Sequence, residues 1–482
     1  YYTQDGGVVR ISNSLRLLQA SAGLPHDELG IAETFLFGGW TPNDRTILAG
    51  GKRLIPGAEY CFVAGSGRPP EIRRLTGTWT TVHEDRVETA VARVIDLWEA
   101  ALARHFDSAN RPVGLLLSGG LDSRMVAGGV EARGKQLIGL TFGDLGSDEV
   151  RIAGQVARAS GAKWIPSGLD ASFPFERLAF ERINLLFETA YNLIWDANAP
   201  LLAAEGVGRF TTGATFETTF GGQRDAHSSY LRLARNVRNA LVGPWKSRPA
   251  NGREREGLID LLMEKARRRD RNYSKMLAEP FHSMVRESLS KISEEVTARV
   301  TEIVEAGPIS IGQAWERFDS ENYQTQYSRD QERQLLAYGA LALPTCDRDL
   351  ANYLTNLPAG LKYDHALYYR VLRRLYPHLA AIPVPNLGTG INKHQLRIEL
   401  ERAWRIRRKS RLTTWVNFHN WMNSGSNLAK YEQLFLENDH FFDPDAVRAY
   451  FADVRAERQN LYDGGETTGF LNLAMLLDKD RL

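Results

Sequence analysis

The residues best suited to do chemistry are Ser118-Gly119-Gly120-Leu121-Asp122-Ser123, directly behind the apolar run Val113-Gly114-Leu115-Leu116-Leu117. Adjacent glycines let a backbone turn tightly and approach an anion closely. A helix opening behind them presents unsatisfied N–H groups and the positive end of its dipole. Ser118 and Ser123 add hydroxyl donors. Asp122 would repel a phosphate unless a cation lay between them, so the pattern implies Mg2+. No Lys-Ser or Lys-Thr follows the glycines, so this is not the Walker pattern. A lone Gly-Gly would favour an ordinary strand-to-helix turn. The full hexapeptide in this setting favours a phosphate site held by Ser118, Gly119, Gly120, Asp122 and Ser123, with Asp122 on the metal.

Such a loop needs a strand before it and a helix after it, and the chain supplies both. Val113 to Leu117 reads as a buried strand, and Leu137-Ile138-Gly139-Leu140-Thr141-Phe142 as a second. Ser147 can cap a helix opened by Asp148-Glu149 and closed by Gly161, after which Lys163-Trp164-Ile165 is a third strand. This alternation predicts a parallel sheet with right-handed crossovers. Upstream, Val87, Val91, Val94, Trp98 and Ala101 fall at helical spacing, so 84–106 is an amphipathic helix. Residues 1–80 carry recurrent glycine turns between short apolar runs and read as β-rich, which sets a domain boundary near 80. Residues 225–335 and 395–482 read as helical, while Pro and Gly punctuate 344–390. Lys265-Ala266-Arg267-Arg268-Arg269 could touch phosphates, although a solvated helix face is the plainer account.

Composition sets the outer bounds. A chain of 482 residues has room for two or more domains. With 43% hydrophobic and 24% charged residues and a net charge of +2, nothing points to nucleic acid or a membrane. No apolar run approaches the ~20 residues of a membrane span. The two cysteines, Cys61 and Cys346, fit a reducing compartment, so a cytoplasmic location is expected.

The hexapeptide resembles the pyrophosphate loop of the N-type ATP pyrophosphatases. Thr212-Gly213-Ala214-Thr215-Phe216-Glu217-Thr218-Thr219-Phe220-Gly221-Gly222 resembles the Gly-Glu-Gly-x-Asp-Glu-x-Phe-Gly-Gly segment of class B asparagine synthetases and β-lactam synthetase. Glu332-Arg333 with Ala337-Tyr338-Gly339, Pro344 to Leu350, and Leu357-Pro358 followed by a helix with Arg370 continue the likeness. Ile11 to Leu15 and Arg53 to Gly57 are similar to the second half of the family's glutaminase domain. The resemblance implies an α/β fold in two parts. Residues 1–80 would be a degenerate N-terminal-nucleophile, glutaminase-like domain. Residues 81–482 would be a parallel-sheet ATP-pyrophosphatase domain (adenine nucleotide alpha hydrolase-like) with helical additions. It implies ATP and Mg2+ as cofactors and an acyl-adenylate route to an amide, with AMP and pyrophosphate released. Glu217 stands where the family has its second Mg2+ ligand, though a surface acid is the alternative. Gly213 would let the second loop approach the phosphates. Leu116, Thr141 and Phe142 would contact the nucleoside or else form plain sheet core. Asp122, Ser118, Arg370 and Lys393 are the implied catalytic group.

Three departures shape the expected substrate. The family's glutaminase uses an N-terminal Cys, but this sequence opens on Tyr1, and Cys61 lies in a predicted strand and reads as core. No ammonia from glutamine is expected unless a preceding segment holds the nucleophile. The family's proton-handling Glu should fall within Gly339 to Leu343, which holds no acid or base. Its phosphate-stabilising Lys should fall near Val384 to Gly388; Lys393 follows a few residues later and is otherwise a surface residue. A peptide α-amine, with a pKa of ~7.7–8.0, is partly neutral without a base. An intramolecular amine also gains ~7–11 kcal/mol from proximity. This profile resembles the lasso peptide cyclases, which join an Asp or Glu side chain of a peptide to its N-terminal amine as a macrolactam. A peptide substrate, a leader-binding protein and a leader peptidase are the implied partners. Two alternatives stand beside it: asparagine synthetase-like amidation of a small acid, and a non-catalytic nucleotide-binding module.

Overall fold

The structure, a computed structural model, describes residues 1–75, 85–168, 194–214, 216–220, 249–385, 387–407, 425–456 and 464–478. The chain opens with a hairpin of β1 (Tyr2–Asp5) and β2 (Val8–Ile11). Gly6 and Gly7 both have positive φ, 52° and 85°, the backbone that a two-residue hairpin turn requires. Helices α1 (Leu15–Ala22) and α2 (Glu28–Leu36) follow, capped by Ser14 and Asp27. A second hairpin pairs β3 (Ala58–Cys61) with β4 (Glu71–Arg74). The β-rich expectation for this segment is therefore half right, because two helices supply its buried side chains. The boundary expected near 80 lies outside the described residues. Cys61 corrects a second expectation: it is exposed, because among the described residues β3 pairs only with β4 and strand alternation turns Cys61 outward with Glu59. Both cysteines are free thiols.

Beyond α3 (Val87–Phe106) the predicted alternation appears as β5 (Val113–Leu116), α4 (Leu121–Ala132), β6 (Leu137–Gly143), α5 (Asp148–Ala159) and β7 (Lys163–Gly168). Ser147 caps α5 through the Val150 N–H, and Gly161 follows its end at φ 64°. Next come α6 (Ile194–Ala204), β8 (Arg209–Thr211) and α7 (Phe216–Phe220). Then α8 (Gly252–Tyr273), α9 (Phe281–Glu305), α10 (Ile311–Asp319), a π-helix (Ser320–Ser328), α11 (Arg329–Leu336) and β9 (Ala340–Leu341) complete the middle of the chain. The last part is helical: α12 (Arg348–Thr355), α13 (Ala366–Leu375), α14 (Gln395–Arg407), α15 (Gly425–Leu436), α16 (Pro444–Arg455) and α17 (Gly464–Leu477). No helix of the described residues is long and apolar enough to cross a membrane.

The five central strands are all parallel, in the order β7-β6-β5-β8-β9. The chain moves outward from β5 through β6 to β7, then returns to the other side of β5. Strand order therefore reverses between β5 and β8, and in open α/β sheets ligands bind at the carboxyl ends of the strands where this happens. Leu15, Phe35 and Trp40 share one apolar cluster with Leu262, Val296, Phe435, Phe451 and Leu473. The first segment is thus built into the helical additions, while the faces of the sheet have clusters of their own.

Charges and amides fasten this junction. Arg45 reaches Asp27 at 2.9 Å, Glu295 at 2.7 Å and Glu33 at 3.4 Å. Burial pushes the Glu33 carboxyl up to about 8; nearby Glu295 adds to the rise and Arg45 opposes it. On the π-helix, Glu321 accepts from Arg74 at 2.5 Å, from Arg317 at 3.1 Å and from Arg299. Gln326 accepts the Thr41 N–H and donates to the Thr41 carbonyl, both at 2.9 Å. The basic run 265–269 lies on α8, where Lys265 covers the Trp315 ring at 4.9 Å and Arg269 bonds the Leu36 carbonyl. Arg267 and Arg268 are exposed, in keeping with the solvated-face reading, while Lys265 and Arg269 pack against their neighbours.

Candidate active site

The Ser118–Ser123 loop leaves the carboxyl end of β5, and the Thr212–Ala214 loop leaves the carboxyl end of neighbouring β8. Both therefore open onto the point where strand order reverses. Gly120 caps α4 without any side-chain hydrogen bond, so the first N–H groups of the helix have no capping side chain. The hydroxyls brace the loop from within. Ser118 Oγ accepts the Gly120 N–H at 3.1 Å and lies 3.1 Å from Ser123 Oγ. Ser123 Oγ donates to the Ser118 carbonyl at 2.8 Å. Ser123 thus helps to shape the cradle from within.

Each glycine has a packing reason. A Cβ on Gly119 would lie 2.9 Å from Pro385 Cγ and 3.0 Å from Ile152 Cγ2. On Gly213 it would lie 2.6 Å from both Asp122 C and Ser123 N. The close approach permitted by Gly213 is therefore to the first turn of α4, which locks the second loop against the first. Asp122 lies in that turn, and Tyr368 Oη of α13 donates to its Oδ1 at 2.9 Å. The buried Tyr368 ring stacks on Phe220 at 4.4 Å, and Phe220 stacks on Phe216 at 4.9 Å. Both phenylalanines flank Glu217 on α7. One tyrosine thereby ties the Asp122 turn to the helix of the second predicted acid. The Glu217 side chain itself lies outside the described residues.

Beneath the loop sits Arg124, fully buried. Its Nε and Nη2 donate to the Gly119 carbonyl at 3.2 and 2.7 Å. Nη1 donates to the carbonyls of Leu379 at 3.1 Å and Ile382 at 2.6 Å, and Nη2 also bonds the Pro383 carbonyl. Burial pulls the guanidinium down to about 9, so it remains charged at neutral pH. The sequence offered one overlooked signal for it, a cation in the first turn of the otherwise apolar run Met125-Val126-Ala127. Nothing in the sequence marked Tyr368.

Arg370 and Lys393 each hold an acidic partner. Arg370 pairs with Glu88 of α3 at 2.8 Å on an exposed surface. Two positions from Tyr368 on one helix, it projects from nearly the opposite side. Lys393 Nζ is held by Thr389 at 2.7 Å and by both Glu401 oxygens at 2.7 and 3.0 Å. Those hydrogen bonds, with Lys393 first, draw the Glu401 carboxyl down to about 2. Lys393 therefore holds a loop together here. The Thr141 hydroxyl donates to the Leu117 carbonyl at 2.7 Å and accepts the Trp164 indole N–H at 3.0 Å. Leu116 and Phe142 are buried among the side chains of the sheet core. Gly339 to Leu343 forms β9 and its flanks, and the Tyr338 hydroxyl beside it donates to Asp196 Oδ1 at 3.1 Å. That acid arrives from α6, which a search of 339–343 alone could not find.

Among the described residues no three metal-binding side chains cluster. One carboxylate at the switch point still fits Mg2+, which usually takes one or two carboxylates and completes its shell with substrate phosphates and water. A cavity of about 930 Å³ lies apart from the loop. The π-helix, Arg53, Arg74 and Arg333 line it, and none of residues 118–123 does. Sequence comparison agrees with the geometry. A family model described as asparagine synthase matches residues 93–476, from α3 to the last helix. Comparison with curated proteins returns no match. With a matched stretch that covers most of the chain and includes both loops at the strand switch, this chain belongs to the asparagine synthase family.

Proposed function

We propose that the protein joins a carboxylate to an amine through an acyl-adenylate, and that the amine is the N-terminus of a peptide whose own Asp or Glu side chain is activated, giving a macrolactam. The family as a whole consists of ATP-dependent amide ligases, generally using Mg2+. One observation carries the proposal: an uncapped helix N-terminus and Asp122 meet a second loop at the point where strand order reverses. Backbone N–H groups of Gly119 and the first turn of α4 would hold the pyrophosphate portion of ATP. Asp122, oriented by Tyr368, would hold Mg2+, and Glu217 is proposed as its partner. When bound, the metal offsets charge on the phosphate oxygens as pyrophosphate departs. The amine then attacks the activated carboxyl carbon, and AMP leaves. The peptide-amine reading is supported by residues 339–343, which bring no acid or base, since an amine with a pKa of ~7.7–8.0 needs little help.

The test is mass spectrometry of an Asp- or Glu-containing peptide incubated with the protein, ATP and Mg2+. Loss of one water with AMP formed is the expected result. Amidation of a small acid such as aspartate is the second reading, favoured by the breadth of the family match. Asparagine formed from aspartate and ammonia would replace the peptide reading with this one. Absence of pyrophosphate exchange with every acid would leave only a nucleotide-binding module.

A further inference from the structure

Arg124 is a fully buried cation that the proposed chemistry does not use. Burying a charge is costly unless it is paired, and buried arginines usually face a carboxylate. Among the described residues Arg124 makes no salt bridge; its five hydrogen bonds all go to backbone carbonyls. Carbonyl oxygens satisfy the donors but leave a full positive charge unneutralised. Two of the five bonds end on Gly119, whose peptide forms the floor of the loop. The other three end on Leu379, Ile382 and Pro383, and Pro385 then packs directly on Gly119. We infer that Arg124 is a positioning residue of the anion site: it fastens segment 379–385 to the floor of the loop and supplies, from beneath, a fixed positive charge that favours a phosphate group above it.

The inference rests on the pyrophosphate role of the loop, and its test separates the two. The probes are Mg2+-pyrophosphate and adenosine, titrated calorimetrically into the full chain. The variants are Arg124→Gln, whose amide still donates to a carbonyl without charge, and Arg124→Lys, which keeps the charge but loses the fork. A unit charge acting across a partly desolvated site predicts that Arg124→Gln weakens pyrophosphate binding roughly ten-fold. Arg124→Lys should stay within about three-fold of wild type, and adenosine binding should be unchanged in both. Equal weakening of adenosine and pyrophosphate would mean general damage and overturn the inference. So would Arg124→Gln binding pyrophosphate as wild type does, or Arg124→Lys losing as much as Arg124→Gln. If Arg124→Gln does not fold, the Lys variant decides alone, since only a charge role keeps its pyrophosphate affinity. Wild-type protein that binds adenosine but not pyrophosphate would sink the loop assignment itself, whatever the variants do.

Discussion

Arg124 beneath the loop and Glu321 on the π-helix are both charges withdrawn from water, yet their surroundings differ in kind. Glu321 is met by three guanidiniums, from Arg74, Arg299 and Arg317, which arrive from three separate elements. Arg124 meets only backbone carbonyls. The first arrangement joins separate parts of the chain through one shared carboxylate. The second stabilises a loop while keeping its charge available to whatever binds above. Placed side by side, they separate charge used for assembly from charge held for a substrate.

The strongest way to break this contrast is Asp122→Ala. It removes the acid proposed for the metal, and pyrophosphate release should fall about 10²–10³-fold. The unfolding midpoint should barely move; a loss of stability matching the loss of activity would make Asp122 a structural residue. Glu321→Ala should do the reverse. Three arginines left around an empty site should lower stability in urea by roughly 2–4 kcal/mol, with pyrophosphate binding retained. Wild-type stability after that change would show that the network assembles nothing.

A smaller effect depends on pH. In the folded chain Glu33 is raised to about 8 from its ordinary 4.5, so it stays neutral where the unfolded chain has already ionised. Its favourable contribution is complete below pH 4.5 and is lost as pH rises through 8. Glu33→Gln should flatten this slope and gain on the order of 1–3 kcal/mol over wild type at alkaline pH. Unfolding profiles of the two proteins that run parallel from pH 5 to 9 would contradict it. The smallest effect is expected from Tyr368→Phe, which keeps the stack on Phe220 and removes the bond to Asp122. Half-saturating Mg2+ should rise about three- to ten-fold, with melting temperature unchanged. An unaltered Mg2+ requirement would deny Tyr368 its orienting role.

The sequence revealed the parts of the site governed by local rules. The strand, the glycine loop and the helix behind it follow from apolar runs and glycine chemistry, and Ser147 caps α5 as expected. What it missed depends on distant contacts. Tyr368 reaches Asp122 from 246 residues away in the chain, and Arg124 bonds Leu379 across 255. The resemblance assigned Arg370 and Lys393 to the site, but each has an opposite charge within hydrogen-bonding reach that one-dimensional spacing does not show. Cys61 lies in a strand as expected, but its exposure depends on which face of β3 is covered, which the sequence does not show.

The contact between Gly213 and the first turn of α4 bears on how this enzyme could be redesigned. With backbone atoms 2.6 Å from where a side chain would begin, a loop grafted here must keep glycine at 213. A second loop without that glycine would displace the opening turn of α4, and with it the acid that turn carries. Grafts around 212–216 intended to alter substrate choice should therefore retain Gly213.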